Sequence, residues 1–198
     1  MKLIRLLLCC SILLMGCDDD SSFETGSNNY LPLQVGNVWI FRSMQDDNDY
    51  RHYKRVTAEV TLDDVVYAQV VSGSYADGAT YDTAYYRVED NGHVYFRRKN
   101  SVSEENRFRL YGTDGDTWTY TIENDDTVAI TLTAISLNLN NKNLRDCKAY
   151  YYDVSQWADE EYTTTLAKGI GFVHEYSNAW GWGQVLESAT INGRKFNF

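Results

Sequence analysis

The sequence predicts an all-β domain, an antiparallel meander that forms a barrel or a strongly curled sheet, and three observations point there. Aromatic residues make up 14% of the 198 positions while proline occurs once, and aromatic side chains favour the pleated, half-buried surface of a strand. From Tyr30 onward the chain runs in short alternating or aromatic segments separated by Gly, Asn and Asp clusters, the pattern of strands and turns. No ten-residue stretch carries the helical period that crossovers between parallel strands need. A two-sheet β-sandwich is the alternative arrangement. With 43% hydrophobic and 23% charged residues, a disordered or collagen-like chain is excluded. The length suits one domain, assigned to residues 30–198.

Taken in order, Trp39 to Ser43 reads as the first strand, and Tyr53 to Leu62 and Val65 to Ser72 as the next two, with Asp63-Asp64 as their turn. Tyr85 to Glu89 and His93 to Arg98 flank Asp90-Asn91-Gly92. That is the strongest local hairpin signal, because Asn and Gly tolerate the positive φ of tight turns. Arg107 to Tyr111, Thr117 to Glu123 and Thr127 to Leu139 continue the series. Cys147 to Val154, Tyr162 to Leu166, Gly171 to Tyr176 and Val185 to Ile191 follow, and Asn192-Gly193 turns into Arg194 to Phe198. Ser155 to Glu161 is the best helical stretch, long enough for a single turn.

The N-terminus reads as a processing signal, assigned to residues 1–16. Lys2 and Arg5 precede an apolar run, Leu6 to Met15, that only Ser11 interrupts. Ten residues fall short of the about 20 that span a bilayer and match the apolar region of a secretory signal. Leu14-Met15-Gly16-Cys17 resembles the lipobox of bacterial lipoproteins. That resemblance implies cleavage before Cys17 and lipidation of its thiol, with anchoring in the inner or outer membrane of a bacterial envelope. Two or more acyl chains suffice for stable anchoring, since each buried methylene contributes about 0.8 kcal/mol. Residues 17–29 then form an acidic, lipid-anchored tether beginning Asp18-Asp19-Asp20. Cleavage takes Lys2 and Arg5 with it, leaving 16 basic residues against 28 acidic ones and a net charge of −12. Such a charge disfavours nucleic acid, whose binding rests on neutralised phosphates. It also leaves Cys147 as the one cysteine of the mature domain not capped by lipid. No intramolecular disulfide or cysteine metal cluster can form.

Tyr30-Leu31-Pro32-Leu33-Gln34-Val35-Gly36-Asn37-Val38-Trp39 resembles the Y-x-P-L-x-x-G-N-x-W start of an uncharacterised family of bacterial lipoproteins. The Gly112-to-Tyr120 segment with Trp118, the Asp146-Cys147-Lys148 strand start and Ala167-to-Val173 with Gly169 and Gly171 are similar to later segments of that family. Asn141-Lys142-Asn143-Leu144 departs from it, lacking the Pro and Gly of a P-A-G-x-F segment. The resemblance implies a compact β-rich envelope domain and brings no catalytic residues. Physically, Trp39 has the position of a core anchor, and Gly169 and Gly171 permit a bulge or tight bend.

Candidate functional residues are few. His52, His93 and His174 are scattered without metal-ligand spacing. The clusters Asp46-Asp47-Asn48-Asp49, Asp114-Gly115-Asp116 and Asn124-Asp125-Asp126 match no twelve-residue calcium loop and read as solvated turns. No nucleophile elbow or paired catalytic signature occurs, so neither a catalytic residue, a metal nor a cofactor is assigned. Asn178-Ala179-Trp180-Gly181-Trp182-Gly183 is the least core-like aromatic cluster, because its glycines make it a loop. Exposed tryptophans stack on sugar faces or form protein contacts. Trp180 and Trp182 are therefore the candidate contacts for a glycan or an envelope-protein partner. The expected role is non-catalytic binding or structural support. Carriage of a lipid or other apolar molecule inside the barrel is the alternative, and a glycan-processing hydrolase ranks behind both.

Overall fold

The computed structural model describes residues 29–45, 50–122, 126–154, 157 and 159–198. The signal segment, Cys17 and the Asp46-to-Asp49 cluster lie outside the described residues, as do three positions of the Ser155-to-Glu161 stretch. Among the described residues there are thirteen strands and no helix. They are β1 (Val38–Ser43), β2 (Arg51–Leu62), β3 (Val65–Ser74), β4 (Thr80–Val88), β5 (His93–Arg98), β6 (Glu105–Arg109) and β7 (Thr117–Thr121). Then come β8 (Thr127–Leu139), β9 (Lys142–Val154), β10 (Tyr162–Ala167), β11 (Gly171–Ser177), β12 (Gly183–Ile191) and β13 (Arg194–Asn197).

Two strands, β4 and β9, start five residues further back than expected. β9 starts at Lys142 because Asn140 and Asn141 both take positive φ, 46° and 70°, and make a two-residue turn that lets β9 pair with β8 from Leu139↔Lys142 onward. The segment that departs from the lipoprotein family is thus the start of a long hairpin arm. β4 starts at Thr80, its polar first residues continuing the pairing with β3.

All pairings are antiparallel, in the order β6-β5-β4-β3-β2-β1-β12-β11-β10-β9-β8-β7, with β13 on β12. Two meanders are therefore joined by the β1–β12 ladder, and the sheet curls into a nearly closed barrel with β6 and β7 at its free edges. Alternation of up and down strands puts the C-terminal ends of β1, β3, β5, β7, β9 and β11, with turns 75–79, 99–104 and 178–182, at one end, the mouth. The turns at the opposite ends of these strands, with Asn29 bonded through its carbonyl to the Gly169 amide at 2.8 Å, form the foot.

The foot end of the barrel is filled. Trp39, fully buried, lies edge-on to Phe172 at 5.4 Å between ring centres, and its indole Nε1 donates to the Ile170 carbonyl at 2.6 Å. Gly171 sits beneath that ring at φ +97°, where a Cβ would come within 2.9 Å of the indole. Two segments resembling the lipoprotein family thus meet in one contact. Asn37, also buried, donates to the Pro32 carbonyl at 3.1 Å and accepts from the Asn192 amide at 2.8 Å.

Closure between β6 and β7 uses side chains where a backbone ladder would leave an open edge. Trp118 donates to the Asn106 carbonyl at 2.7 Å, Tyr152 to Arg107 at 3.0 Å and Tyr150 to Arg109 at 3.2 Å. Lys148 donates to the carbonyls of Leu110, at 2.8 Å, and Gly112. Both tyrosines are fully buried, and their hydroxyls reach the carbonyls of the half-buried Arg107 and Arg109. Tyr150→Phe and Tyr152→Phe are each expected to cost about 0.5–1.5 kcal/mol in urea unfolding, the usual net worth of one hydrogen bond. Unchanged stability in both variants would show that the seam is held some other way.

Candidate functional site

At the mouth the filling stops and a cavity of about 600 Å³ opens, within the 300–1,000 Å³ range of small-molecule sites. Tyr86, Phe108 and Phe172 make its apolar floor, Tyr162 and Thr164 one wall, and Trp180 and Trp182 part of its rim. Lys54, Arg107 and Glu175 also line it. Asp159 and Glu160 stand at the entrance, on the turn before β10.

Two β-bulges bring charge into this interior. Along β6, Phe108 pairs with Val94 and Asn106 with Tyr95, so Arg107 is an extra residue and its side chain enters beside that of Phe108. Along β11, Phe172 pairs with Leu166 and His174 with Thr165, so Val173 is extra and the phase of the strand flips. Glu175 then points inward opposite Thr164, where unbroken alternation would have sent it out.

Each interior charge has a partner. Lys54 donates to Glu175 Oε1 and Gln184 to Glu175 Oε2, while the Lys54 ammonium lies 4.5 Å from the centre of the Phe172 ring. Arg107 binds Glu105 through Nε at 2.7 Å and stacks on Phe96 at 3.7 Å. Burial on its own pushes the Glu175 carboxyl up. The Lys54 charge and the hydrogen bonds from Lys54 and Gln184 outweigh it and hold the group below the usual carboxylate range. His52, beneath Tyr50 at 4.6 Å between ring centres, is lowered by burial.

Of the residues singled out in the sequence, Trp180 is 66% exposed and Trp182 55% exposed, both at the mouth. Cys17 lies outside the described residues. His52, His93 and His174 sit on three different strands, and among the described residues no group of three or more His, Cys, Asp or Glu could hold a metal ion. Asp116 accepts from the Thr113 amide of its own loop at 2.8 Å, and Asp114 accepts from the Ala134 amide of β8 at 2.9 Å. Arg107 and Glu175 carried no sequence signal, since a bulge is invisible in a period-two pattern, whereas Lys54 stands in regular register opposite the buried Trp39.

Cys147 is buried on β9, and burial pushes its thiol up to about 11. The thiolate is the reactive form, so the folded protein is expected to resist iodoacetamide at pH 8 and to be labelled once unfolded in urea. Rapid labelling of the native protein at Cys147 would contradict this.

No protein-family model matches the sequence, and no curated protein does. Two solved structures are similar to it. One is a Bacteroides fragilis protein of YmcC-like fold, assigned as exported, with 16% identity and a TM-score of 0.43 over 84% of this chain and 98% of its own. The other is a Parabacteroides distasonis protein assigned as a lipoprotein, with 16% identity and a TM-score of 0.42 over 81% of this chain and 97% of its own.

Proposed function

We propose that this chain is an exported, lipid-anchored protein of the bacterial envelope, with lipid on Cys17, and that its barrel is a non-catalytic binding module whose site is the mouth cavity. The observation that carries the binding role is a cavity of about 600 Å³ at the mouth of the barrel, with two exposed tryptophans on its rim. Monomeric proteins seldom expose such aromatic groups without a contact for them to make. The lipobox resemblance and the short apolar leader support the anchor.

Three features favour binding over the other readings. Lys54, Arg107 and Glu175 within the cavity disfavour an apolar passenger, which would leave their charges desolvated. Glu175 takes hydrogen bonds at both oxygens and is held ionised, whereas a general acid needs a raised value. Asn29 enters at the foot, so a lipid on Cys17 leaves the mouth free to face away from the bilayer.

The test is native mass spectrometry of the lipoprotein extracted gently from its own host, beside the variant Ser177→Trp, which places an indole in the cavity wall. A small molecule retained by the wild type and absent from Ser177→Trp is the expected result. A bare mass in both, with no tryptophan fluorescence response of either protein to the host's envelope extract, would sink the cavity as a binding site.

A further inference from the structure

If the cavity is a binding site, its charges and its rim narrow the ligand. Each interior charge is already neutralised, Lys54 by Glu175 and Arg107 by Glu105. A cationic ligand would meet Lys54 and Arg107; an anionic one would meet Glu175 and the Asp159 and Glu160 carboxylates at the entrance. Either would have to displace a partner from an ion pair inside a half-dry cavity, where an unpaired charge is costly. A hydroxyl does not, because it both donates to a carboxylate and accepts from a guanidinium or ammonium. Aromatic floor and walls, with paired charges between them, therefore suit a molecule that is neutral, rich in hydroxyls and flat on one face.

The rim extends this beyond one unit. The Met44 amide donates to the Gly183 carbonyl at 2.9 Å, which fastens the β1–β2 turn to the loop carrying Trp180 and Trp182. Next along the mouth, the Ser43 amide donates to the Tyr50 carbonyl at 3.2 Å and the Tyr75 amide to the Arg51 carbonyl at 2.9 Å. The hydroxyls of Tyr50 and Tyr81 are 3.0 Å apart. Trp180, Trp182, Met44, Tyr50, Tyr75 and, at the start of β4, Tyr81 are all exposed along this side of the mouth. Met44, Tyr50, Tyr75 and Tyr81 are not among the residues that line the cavity, so a ligand confined to it would leave them uncovered.

We propose that the ligand is a neutral polysaccharide, one sugar unit seated in the cavity between Trp182 and the apolar floor, within reach of Glu175 and Arg107, and further units stacked along the rim towards Tyr81. Rim aromatics add stacking contacts unit by unit, so affinity rises with chain length.

The experiment titrates the full-length lipoprotein in detergent micelles, by tryptophan fluorescence and calorimetry, with di- and tetrasaccharides of the malto, cello, chito and manno series. Glucosamine-containing and uronate-containing counterparts of each are titrated alongside. At least one neutral series is expected to bind, its tetrasaccharide at least tenfold tighter than its disaccharide and its charged counterparts at least tenfold weaker. Tyr81→Ala should bring the tetrasaccharide back to disaccharide affinity and leave the disaccharide unchanged, while Trp182→Ala weakens both. Binding of no neutral series, tighter binding of a charged one, or no dependence on length overturns the proposal. The cavity itself is judged separately. A non-sugar molecule or a peptide held by the wild type and excluded by Ser177→Trp would overturn the polysaccharide and keep the cavity. Sugar binding that Ser177→Trp leaves intact would overturn both.

Discussion

Trp39→Ala is expected to cost about 3–5 kcal/mol, the usual loss for truncating a buried aromatic residue to alanine, against a total stability of about 5–15 kcal/mol for a domain. The indole is fully buried, packs edge-on against Phe172 and is hydrogen-bonded to Ile170. Its strand is the one that joins the two meanders. Removing it opens a cavity at the point where β1 meets the β10–β11 turn, and neighbours held by two ladders relax little into the space. Trp39→Phe keeps most of the packing but orphans the Ile170 carbonyl, so about 1–3 kcal/mol is expected. Gly171→Ala attacks the same contact from below, since its φ of +97° disfavours any side chain and the new methyl would press on the indole. Urea unfolding of the three variants checks this, with Trp39→Ala the least stable of the series. A loss under 1 kcal/mol for Trp39→Ala would show that the anchor lies elsewhere.

That anchor was legible in the sequence because Trp39 obeys simple rules: it follows a Gly-Asn turn and stands on the inward phase of an uninterrupted strand. The strand series was legible for the same reason. Asp63-Asp64 and Asn192-Gly193 announce hairpins, and positive φ at Asp63, Asp64 and Asn192 bears this out. Asn140-Asn141 is the same device hidden in a polar stretch, so the start of β9 passed for a loop. Trp180 and Trp182 were readable as loop residues because glycines flank them. What they border was not. A cavity depends on which side chains stop short of the barrel axis near the mouth, and that is set by closure of the whole sheet. Arg107 and Glu175 were unreadable for a sharper reason. Strict alternation places Phe108 and Phe172 inside and sends Arg107 and His174 to opposite phases, and only the one-residue slips at Arg107 and Val173 put Arg107 and Glu175 in the cavity.

Glu175→Gln isolates the charge that the second of those slips delivers. The variant keeps shape but turns one accepting oxygen into a donor, which Gln184 can meet by flipping its own amide, and it leaves Lys54, whose side chain is 15% exposed, without a counter-charge. Breaking a fully buried pair costs 3–5 kcal/mol; this pair is reached by solvent through the mouth, so about 2 kcal/mol is expected at pH 7. The pH dependence identifies the cause. A carboxyl held below its ordinary value binds protons less readily in the folded chain than in the unfolded one. Its contribution is complete above the unfolded value of about 4.3 and is lost as pH falls from there through the folded value. Wild type should therefore lose this contribution on acidification, and Glu175→Gln has none to lose. Arg87 and Glu104, a pair with a 2.6 Å contact and a carboxyl also held low mainly by its hydrogen bond from Arg87, titrate alike in both proteins and cancel in the comparison. Urea midpoints should differ clearly at pH 7 and converge towards pH 3. A gap of equal size at both pH values would mean that packing, not the Lys54–Glu175 charge pair, accounts for the loss. A Lys54→Met, Glu175→Leu double variant separates the two further: it removes both charges at similar volume and should recover most of the stability that Glu175→Gln loses, while abolishing whatever hydrogen bonding the cavity floor offers a ligand.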